Sequence, residues 1–338
     1  MASSFPDPAV KILAIRFARL GDVILLMPAL RSLKAGFSNA RLTFLTGHRC
    51  APIADLCPEI DEVIAVDRVA MRDGPVWRAF GKMAGLVREI RGKRFDLVVD
   101  FHSFRETNLL TWVSGAPVRV GMKRENAPYL SFCFNRPAVV EDKSLHVAEM
   151  FRRVVAGIVN EPLCGVSRLV IPENLRAWAG QSLPANPKIA LYADAPVEDR
   201  AWQPERFAEV ADFAVERLGA SVLVLSGEAG SELAARVQKA SRNPDRLVCF
   251  TAVTIPQLAA LIASARLLVS NDTGPMHLGP AFGVPTLGLF SVGYPEHFRP
   301  TGPADRFLRA NPIEGISVGA VIEAVNQMWA IADPGLPR

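Results

Sequence analysis

The sequence predicts an α/β protein made of two Rossmann-like domains, each with a parallel sheet, that face each other across a cleft. Three observations predict this class. A chain of 338 residues suits two domains of ordinary size. Short β-rich runs alternate with helical patterns, which is typical of parallel sheets with crossover helices. Each half of the chain contains one such series of alternating strands and helices. Parallel sheets of this kind bind ligands at the carboxyl ends of their strands.

The first half starts with a strand and then alternates helices and strands. After the first strand, Val23, Met27 and Leu30 recur at helical spacing, and residues 77–91 form a second amphipathic pattern with a basic face. Strands are predicted at 11–16, 41–46, 62–66 and 96–101.

The second half repeats this plan. Strands are predicted at 188–193, 221–226, 247–250, 267–270 and 286–290, with helices at 204–218, 230–241 and 256–263. A final helix at 318–331 can pack on either domain. The proline-rich stretch between the halves predicts domains at 1–165 and 188–338, joined by a linker at 166–187.

Composition excludes several classes of protein. The hydrophobic fraction of 50% excludes a disordered chain. The formal net charge of +4 is small and evenly spread, so it does not predict nucleic-acid binding and suits an anionic substrate or an anionic membrane surface equally. Five cysteines form no Cys-x-x-Cys pair, which favours a reducing cytoplasm over disulfides or a zinc ribbon.

Membrane, export and cofactor signals are not predicted either. Residues 273–295 contain no Asp, Glu, Lys or Arg, but four prolines and five glycines would break a membrane helix there. The first ten residues do not resemble a secretory signal. No D-x-D motif follows a strand, so we expect no metal site. The G-x-G-x-x-G pattern of nicotinamide-binding enzymes does not occur, and neither does the G-x-S-x-G pattern of hydrolases.

The loop RFARLGD at 16–22 leaves the first strand and enters a helix. Asp22 is placed either as a carboxylate that caps the helix or as a general base at the floor of the cleft, near Arg16 and Arg19. Spacing alone favours the cap.

The loop SNDTGPMH at 270–277 also joins a strand to a helix. Its residues suit either an ordinary Asx turn or an anion site at a helix N-terminus, which His277 can reach. A similar loop at a strand end in each half favours a functional role.

Other polar residues follow strands in both halves. Arg200 can bind a pyrophosphate or remain solvated, and Glu228 can bind a ribose hydroxyl or merely favour a helix start. A basic cluster on the first domain would attract a phosphorylated or carboxylated acceptor, unless it is only a solvated loop face. The residues predicted to bind this acceptor are Arg16, Arg19, His102, Arg105, Lys123 and Arg124.

These loops together resemble the ADP-heptose:lipopolysaccharide heptosyltransferase family, glycosyltransferase family 9. The matching stretches are KILAIRFARLGDVILLMPALRSLK, DLVVDFHSFRETNLL, GAPVRVGMKRE and ARLLVSNDTGPMHLGPAFGVPTLGLF, in family order across nearly the whole chain. The resemblance implies a GT-B fold and an inverting, metal-independent transfer of heptose or a related sugar from an ADP-sugar to a lipopolysaccharide-core-type acceptor.

The resemblance also implies roles for domains and residues. The first domain would bind the acceptor, and the second would bind the nucleotide sugar. Asp22 takes the place of the catalytic base, Arg200 stands where the family has a donor-binding Lys, and Val253 falls near the adenine edge. The implied donor-binding residues are Arg200, Glu228, Val253, Asp272, Thr273, Gly274 and His277.

The same resemblance implies partners and location. The ADP-sugar would be a substrate, no cofactor is expected, and the acceptor would be an anionic glycolipid. The protein is then expected in the cytoplasm, peripheral on the inner membrane, with no nucleic-acid partner.

The sequence departs from the family in the loop YADAPV at 192–197. Glycine, serine or threonine is usual there, whereas Pro196 has no N–H to donate and Asp194 adds negative charge near a diphosphate. Further departures are Arg200 in place of the Lys and SVGYPE at 291–296. The alternatives are therefore another nucleotide sugar, or a nucleotide-sugar-binding protein with little or no transferase activity.

Overall fold

The computed structural model describes residues 10–37, 39–68, 70, 76–159, 165, 168–185, 188–227 and 232–331. The chain divides into two compact units, residues 1–165 and 166–338. Among the described residues, no helix is both long enough and apolar enough to cross a membrane.

The first unit contains a six-stranded sheet in its described part. All neighbouring strands are parallel, and their order is β3-β2-β1-β4-β5-β6. The strands are β1 (Lys11–Arg16), β2 (Arg41–Gly47), β3 (Glu62–Val66), β4 (Leu97–Asp100), β5 (Val118–Lys123) and β6 (Val139–Val140).

Helices cover both faces of this sheet. Leu13 and Ile15 of the central strand pack in one apolar cluster with residues of two crossover helices, and the alternate residues Ile12 and Ala14 are also fully buried. The helices are α1 (Leu20–Gly36), α2 (Ala51–Ala54), α3 (Val76–Lys93), α4 (Arg105–Val113) and α5 (Val147–Ala156). Leu86 and Ile90 of α3 and Leu110 of α4 belong to that cluster, whereas α1 packs against α5.

The second unit repeats the same topology. Its sheet order in the described part is β12-β11-β10-β7-β8-β9, again all parallel. The strands are β7 (Lys188–Tyr192), β8 (Ser221–Leu225), β9 (Leu247–Phe250), β10 (Leu267–Asn271), β11 (Thr286–Phe290) and β12 (Arg306–Arg309). Both sheets therefore have the 3-2-1-4-5-6 order of doubly wound nucleotide-binding folds.

Seven helices are described in the second unit. They are α6 (Glu173–Ser182), α7 (Pro204–Leu218), α8 (Leu233–Ala240), α9 (Ile255–Ala263), α10 (Leu278–Ala281), α11 (Pro295–Phe298) and α12 (Val318–Ile331). The final helix, which the sequence allowed on either domain, packs against α7 and β10 of its own unit. Arg266 stacks on the Trp329 ring at 4.4 Å and donates to the Trp329 carbonyl, which fixes this helix.

The predicted linker at 166–187 is not a plain connector. It contains α6, and Pro172 occupies the N-cap position of this helix rather than breaking it. The helix buries only Ala179, so it lacks the apolar stripe by which helices are recognised in a sequence.

Candidate functional site

A pocket lies at the carboxyl edge of the first sheet, where the strand order reverses. The loops after β1 and β4 leave these neighbouring strands in opposite directions, which opens a crevice between them. The pocket has a volume of about 620 Å³. Its charged and imidazole-bearing lining residues are Arg16, Arg19, Asp22, His48, Arg49, Asp67, Arg68, His102 and Arg124.

Asp22 lies in the first turn of α1 and lines this pocket. Arg19, not Asp22, is the N-cap residue, and it makes no side-chain cap hydrogen bond. The Asp22 carboxylate instead accepts a hydrogen bond of 2.7 Å at Oδ1 from the Arg16 guanidinium, with 23% of the Asp22 side chain exposed. In the described part of the chain, Arg16 is the group recorded as donating to this carboxylate, which lines the pocket.

Arg16 is fixed from three sides. Its Nη1 donates to the Phe101 carbonyl at 2.8 Å, its Nη2 donates to Asp22, and its guanidinium carbon lies 4.9 Å from the centroid of the Phe151 ring. This planar fork therefore ties the end of β4 to the first turn of α1. Arg16 holds the carboxylate at the pocket in one position.

His102 lies beside Arg16 as a neutral imidazole. Burial, and then the charges of Arg16, Arg68 and Arg124, lower the pKa of His102 to about 2. The ring packs between Phe17 and Phe104, with centroid distances of 5.6 and 4.6 Å. Within the predicted basic cluster, His102 is therefore a neutral hydrogen-bonding group and not a cation.

Asp100 shapes the loop that carries His102, a role that the sequence did not reveal. Its Oδ1 accepts from the backbone N–H groups of His102 and Ser103 at 3.0 and 2.7 Å, and its Oδ2 accepts from the Asn108 amide at 3.0 Å. Burial raises the pKa of Asp100 to about 6, although these hydrogen bonds act in the opposite direction. Ser103 has a left-handed φ of 53°, which this network stabilises.

The other predicted acceptor residues divide into two groups. Arg19 and Arg124 line the pocket, and Arg124 stacks over the Phe104 ring at 4.9 Å. Arg105 and Lys123 are exposed and do not belong to the lining. Within the described residues, the buried atoms Arg16 Nε, His102 Nδ1 and Arg124 Nε have no hydrogen-bond partner.

Four lining residues were missed in the sequence. His48 and Arg49 directly follow β2, while Asp67 and Arg68 directly follow β3. Arg68 stacks over the Phe17 ring at 5.3 Å. Their positions in the sequence could have identified them. Polar residues that follow parallel strands lie at one edge of the sheet, and this applies to β2 and β3 as it does to β1 and β4.

The corresponding edge of the second unit carries the other predicted loops. Its strand order reverses between β7 and β10. The Asn271 side chain joins the loops after these strands, since its amide donates to the Ala193 carbonyl at 2.7 Å and its oxygen accepts from the Trp202 N–H at 3.1 Å. The Trp202 side chain is fully buried, and its indole N–H donates to the Ile316 carbonyl at 3.0 Å.

Arg200 and Asp272 form an ion pair across these loops. Arg200 Nη1 lies 3.0 Å from Asp272 Oδ2, and only 9% of the Asp272 side chain is exposed. Burial raises the pKa of Asp272, and the Arg200 charge partly offsets this shift. Among the described residues, the buried atoms Arg200 Nε and Thr273 Oγ1 have no hydrogen-bond partner.

The remaining predicted donor residues lie as follows. Gly274 and His277 form a short 3₁₀ turn after Thr273, with His277 buried. Val253 is half-buried just before α9. Glu228 lies outside the described residues. Asp194, which was expected to add negative charge near a diphosphate, accepts hydrogen bonds from the Ser226 hydroxyl at 2.6 Å and the Gly227 N–H at 2.8 Å.

Known proteins resemble this chain over most of its length. The chain is 26% identical over 295 residues to lipopolysaccharide heptosyltransferase 1 of Pseudomonas aeruginosa, with 85% of this chain and 80% of that protein covered. The crystal structure of a glycosyl transferase family 9 protein from Veillonella parvula superposes with a TM-score of 0.82 at 24% identity, covering 95% and 97% of the two chains.

A further solved structure has the same fold. The ADP-heptose lps heptosyltransferase II of E. coli superposes with a TM-score of 0.79 at 20% identity, covering 95% of this chain and 99% of that one. These likenesses and the two doubly wound sheets assign the α/β GT-B fold class. The family model of glycosyltransferase family 9 (heptosyltransferase) matches residues 83–319, more than half of the sequence. With the fold and the family match together, the chain belongs to glycosyltransferase family 9 and is a glycosyltransferase.

Proposed function

We propose that the protein transfers heptose from ADP-heptose to a lipopolysaccharide-core-type acceptor, with inversion, without a metal ion, and with Asp22 as the general base. One observation carries this proposal. The Asp22 carboxylate lies in an arginine-lined pocket at the strand reversal of the first sheet and is held there by Arg16.

The chemistry requires a single displacement. Asp22 accepts the proton of an acceptor hydroxyl while that oxygen attacks the anomeric carbon of the sugar. The bond from this carbon to the diphosphate oxygen breaks, and ADP leaves with the electron pair. One displacement inverts the anomeric centre, and cations or N–H dipoles at the diphosphate stabilise the leaving group.

The pocket that contains Asp22 suits an anionic sugar acceptor. Five arginines and two aspartates line it, so its net charge is positive. The neutral imidazole of His102 and the arginine guanidinium groups that line the pocket offer hydrogen-bonding groups to hydroxyls and carboxylates. The name of the Pseudomonas aeruginosa relative, a lipopolysaccharide heptosyltransferase, supports an acceptor of this class.

The edge of the second sheet suits the donor. Arg200 presents a cation there, and the Thr273 hydroxyl is a donor without a protein partner among the described residues. The Asp194 carboxylate accepts hydrogen bonds from Ser226 and Gly227, and these donors partly offset its negative charge near a diphosphate. The E. coli neighbour named for ADP-heptose supports this donor.

An assay of transfer tests the proposal. Wild-type protein is incubated with ADP-heptose and a truncated core acceptor, with and without EDTA, and both released ADP and the anomeric configuration of the product are measured. We expect turnover that EDTA does not reduce and an inverted product. ADP binding without turnover would favour the nucleotide-sugar-binding alternative, and turnover only with another nucleotide sugar would replace the donor.

A further inference from the structure

One side of α3 is exposed along its whole length. With 3.6 residues per turn, positions 77, 80, 84, 88 and 91 lie on the same side of the helix. Trp77 and Phe80 are 70% and 76% exposed, and Ala84, Arg88 and Arg91 are exposed as well. We call these five residues the α3 stripe.

The stripe is separate from the side of α3 that holds the fold together. Leu86 and Ile90 are buried in the core of the first unit, with Met83 and Val87 packed against that core. Trp77 and Phe80 do not belong to this core cluster, and both expose large apolar surface to solvent. Neighbouring exposed aromatic residues of this size indicate a contact surface.

The aromatic end of the stripe lies at the same edge of the sheet as the Asp22 pocket. The other end of α3 is at the amino edge, because Lys93 pairs with Glu62 at the start of β3 and its carbonyl accepts from Lys11 at the start of β1. Trp77 is sixteen residues earlier, or about 24 Å along the helix, which brings it to the carboxyl edge.

The charge of α3 complements an anionic surface. Its sequence contains five basic residues and one acidic residue, and Arg88 and Arg91 continue the stripe beyond the aromatic pair. Tryptophan and phenylalanine beside arginines on one helix face are typical of helices that lie in the plane of a lipid headgroup region. Each arginine near an anionic bilayer strengthens binding further.

We propose that the α3 stripe binds the surface of an anionic lipid bilayer. The aromatic side chains enter the headgroup region, and the arginines contact acidic lipid phosphates. The stripe would thereby hold the pocket beside a membrane-anchored glycolipid. This last step rests on the proposed function, whereas the lipid contact itself does not.

Vesicle sedimentation tests the contact without any donor or acceptor. Purified full-length protein is mixed with phosphatidylcholine vesicles made with and without phosphatidylglycerol, and the bound fraction is measured. We expect binding that requires phosphatidylglycerol and weakens with salt. W77S/F80S and R88E/R91E should each weaken it about tenfold or more, by removal of apolar contact and of charge attraction respectively.

Matched controls separate this face from general effects. W112S removes another half-exposed tryptophan of the same unit, and R217E/K239E makes the same charge change on exposed positions of the second unit. Both should bind vesicles within about twofold of wild type. Circular dichroism of every variant checks that the fold is retained.

The proposal is overturned if wild type does not bind the anionic vesicles, if the stripe variants bind as wild type does, or if the controls lose binding equally. It is also overturned if sedimentation velocity shows that W77S/F80S dissolves an oligomer, since the stripe would then contact a second copy. Vesicle binding without sugar transfer would leave this inference intact and refute only the proposed function.

Discussion

The position of the Asp22 carboxylate depends on one residue, Arg16. Two hydrogen bonds and a ring contact fix its guanidinium, and each uses a different part of the planar fork. Lysine has a single point of donation and cannot span the Phe101 carbonyl and Asp22 together. Arg16 is therefore the residue that orients the proposed base.

Arg16→Lys tests this role. Loss of one buried hydrogen bond should lower the free energy of unfolding by about 1–3 kcal/mol, and turnover should fall about tenfold or more because Asp22 is no longer held. Urea denaturation and steady-state kinetics measure the two effects. Arg41→Lys, an exposed change at the amino edge of the sheet, should alter neither. Unchanged turnover in Arg16→Lys would show that Asp22 is positioned without it.

Gly293 lies against the carboxylate of Asp272. A methyl group at position 293 would overlap Asp272 Oδ2 and approach the Phe290 ring at 3.4 Å. The absence of a side chain at Gly293 thus lets the loop after β11 close on the Arg200–Asp272 pair.

Gly293→Ala should move this pair. We expect a loss of about 1–3 kcal/mol in the free energy of unfolding from the forced shift, and weaker ADP binding in calorimetry. Gly180→Ala is the control, because a methyl group there meets nothing within 4 Å on α6 and should stabilise the helix by about 0.5–1 kcal/mol. If Gly293→Ala is as stable as wild type, the close approach at Gly293 does not contribute to the free energy of unfolding.

Single residues show where sequence reasoning reached its limit. Asp22 and Arg16 could be placed at one site because both flank the end of a strand. The neutral state of His102 could not be predicted, because it depends on burial and on arginines from three separate loops. The ring contacts of Arg68 and Arg124 likewise depend on tertiary packing.

At the scale of elements, Asp305 joins two neighbouring strands. Its carboxylate accepts from the N–H of Thr286 at the start of β11 at 2.8 Å and from Gly302, just before β12. Burial raises the pKa of Asp305 from 3.8 to about 6, although these hydrogen bonds lower it. The folded state therefore binds this proton more tightly than the unfolded chain does.

The sign of the resulting pH dependence follows from this shift. The contribution of this proton binding to the free energy of unfolding is fully present below pH 3.8 and is lost as the pH rises through about 6. Asp305→Asn removes the titration, so the stability difference between wild type and variant should be larger at acid than at neutral pH, by about 3 kcal/mol. Urea denaturation across this range measures it, and a pH-independent difference would contradict the assignment.

Not every element was predicted. β5, α4 and α5 were missed, although α5 carries buried apolar residues at helical spacing and β5 is a six-residue strand. Three others, β6, β12 and α6, have weak patterns for physical reasons. β6 has two residues, and β12 is an edge strand whose sequence RFLR is half charged and mostly exposed. Helix α6 has almost no buried face. In contrast, α7 and α12 were predicted at their observed bounds, because both carry continuous apolar stripes.

At the scale of the whole molecule, the two units repeat one topology. The same 3-2-1-4-5-6 order puts the loops after β1 and β4, and after β7 and β10, at strand reversals. The sequence predicted these loops because strands of parallel sheets are continuous apolar runs, and polar residues that follow them stand out. Strand order itself was not predicted, since it depends on long-range pairing that local patterns do not encode.

Replacement of Asp22 by Asn tests the proposal that this residue is the general base. Asp22→Asn keeps an oxygen for Arg16 but removes the basic group, and Asp67→Asn removes a carboxylate from the same pocket as a matched control. The measurements are single-turnover transfer and ADP affinity by calorimetry. We predict a rate about 100-fold lower or more for Asp22→Asn, with ADP affinity unchanged and with Asp67→Asn within about fivefold of wild type. A full rate in Asp22→Asn, or an equal loss in Asp67→Asn, would contradict the account.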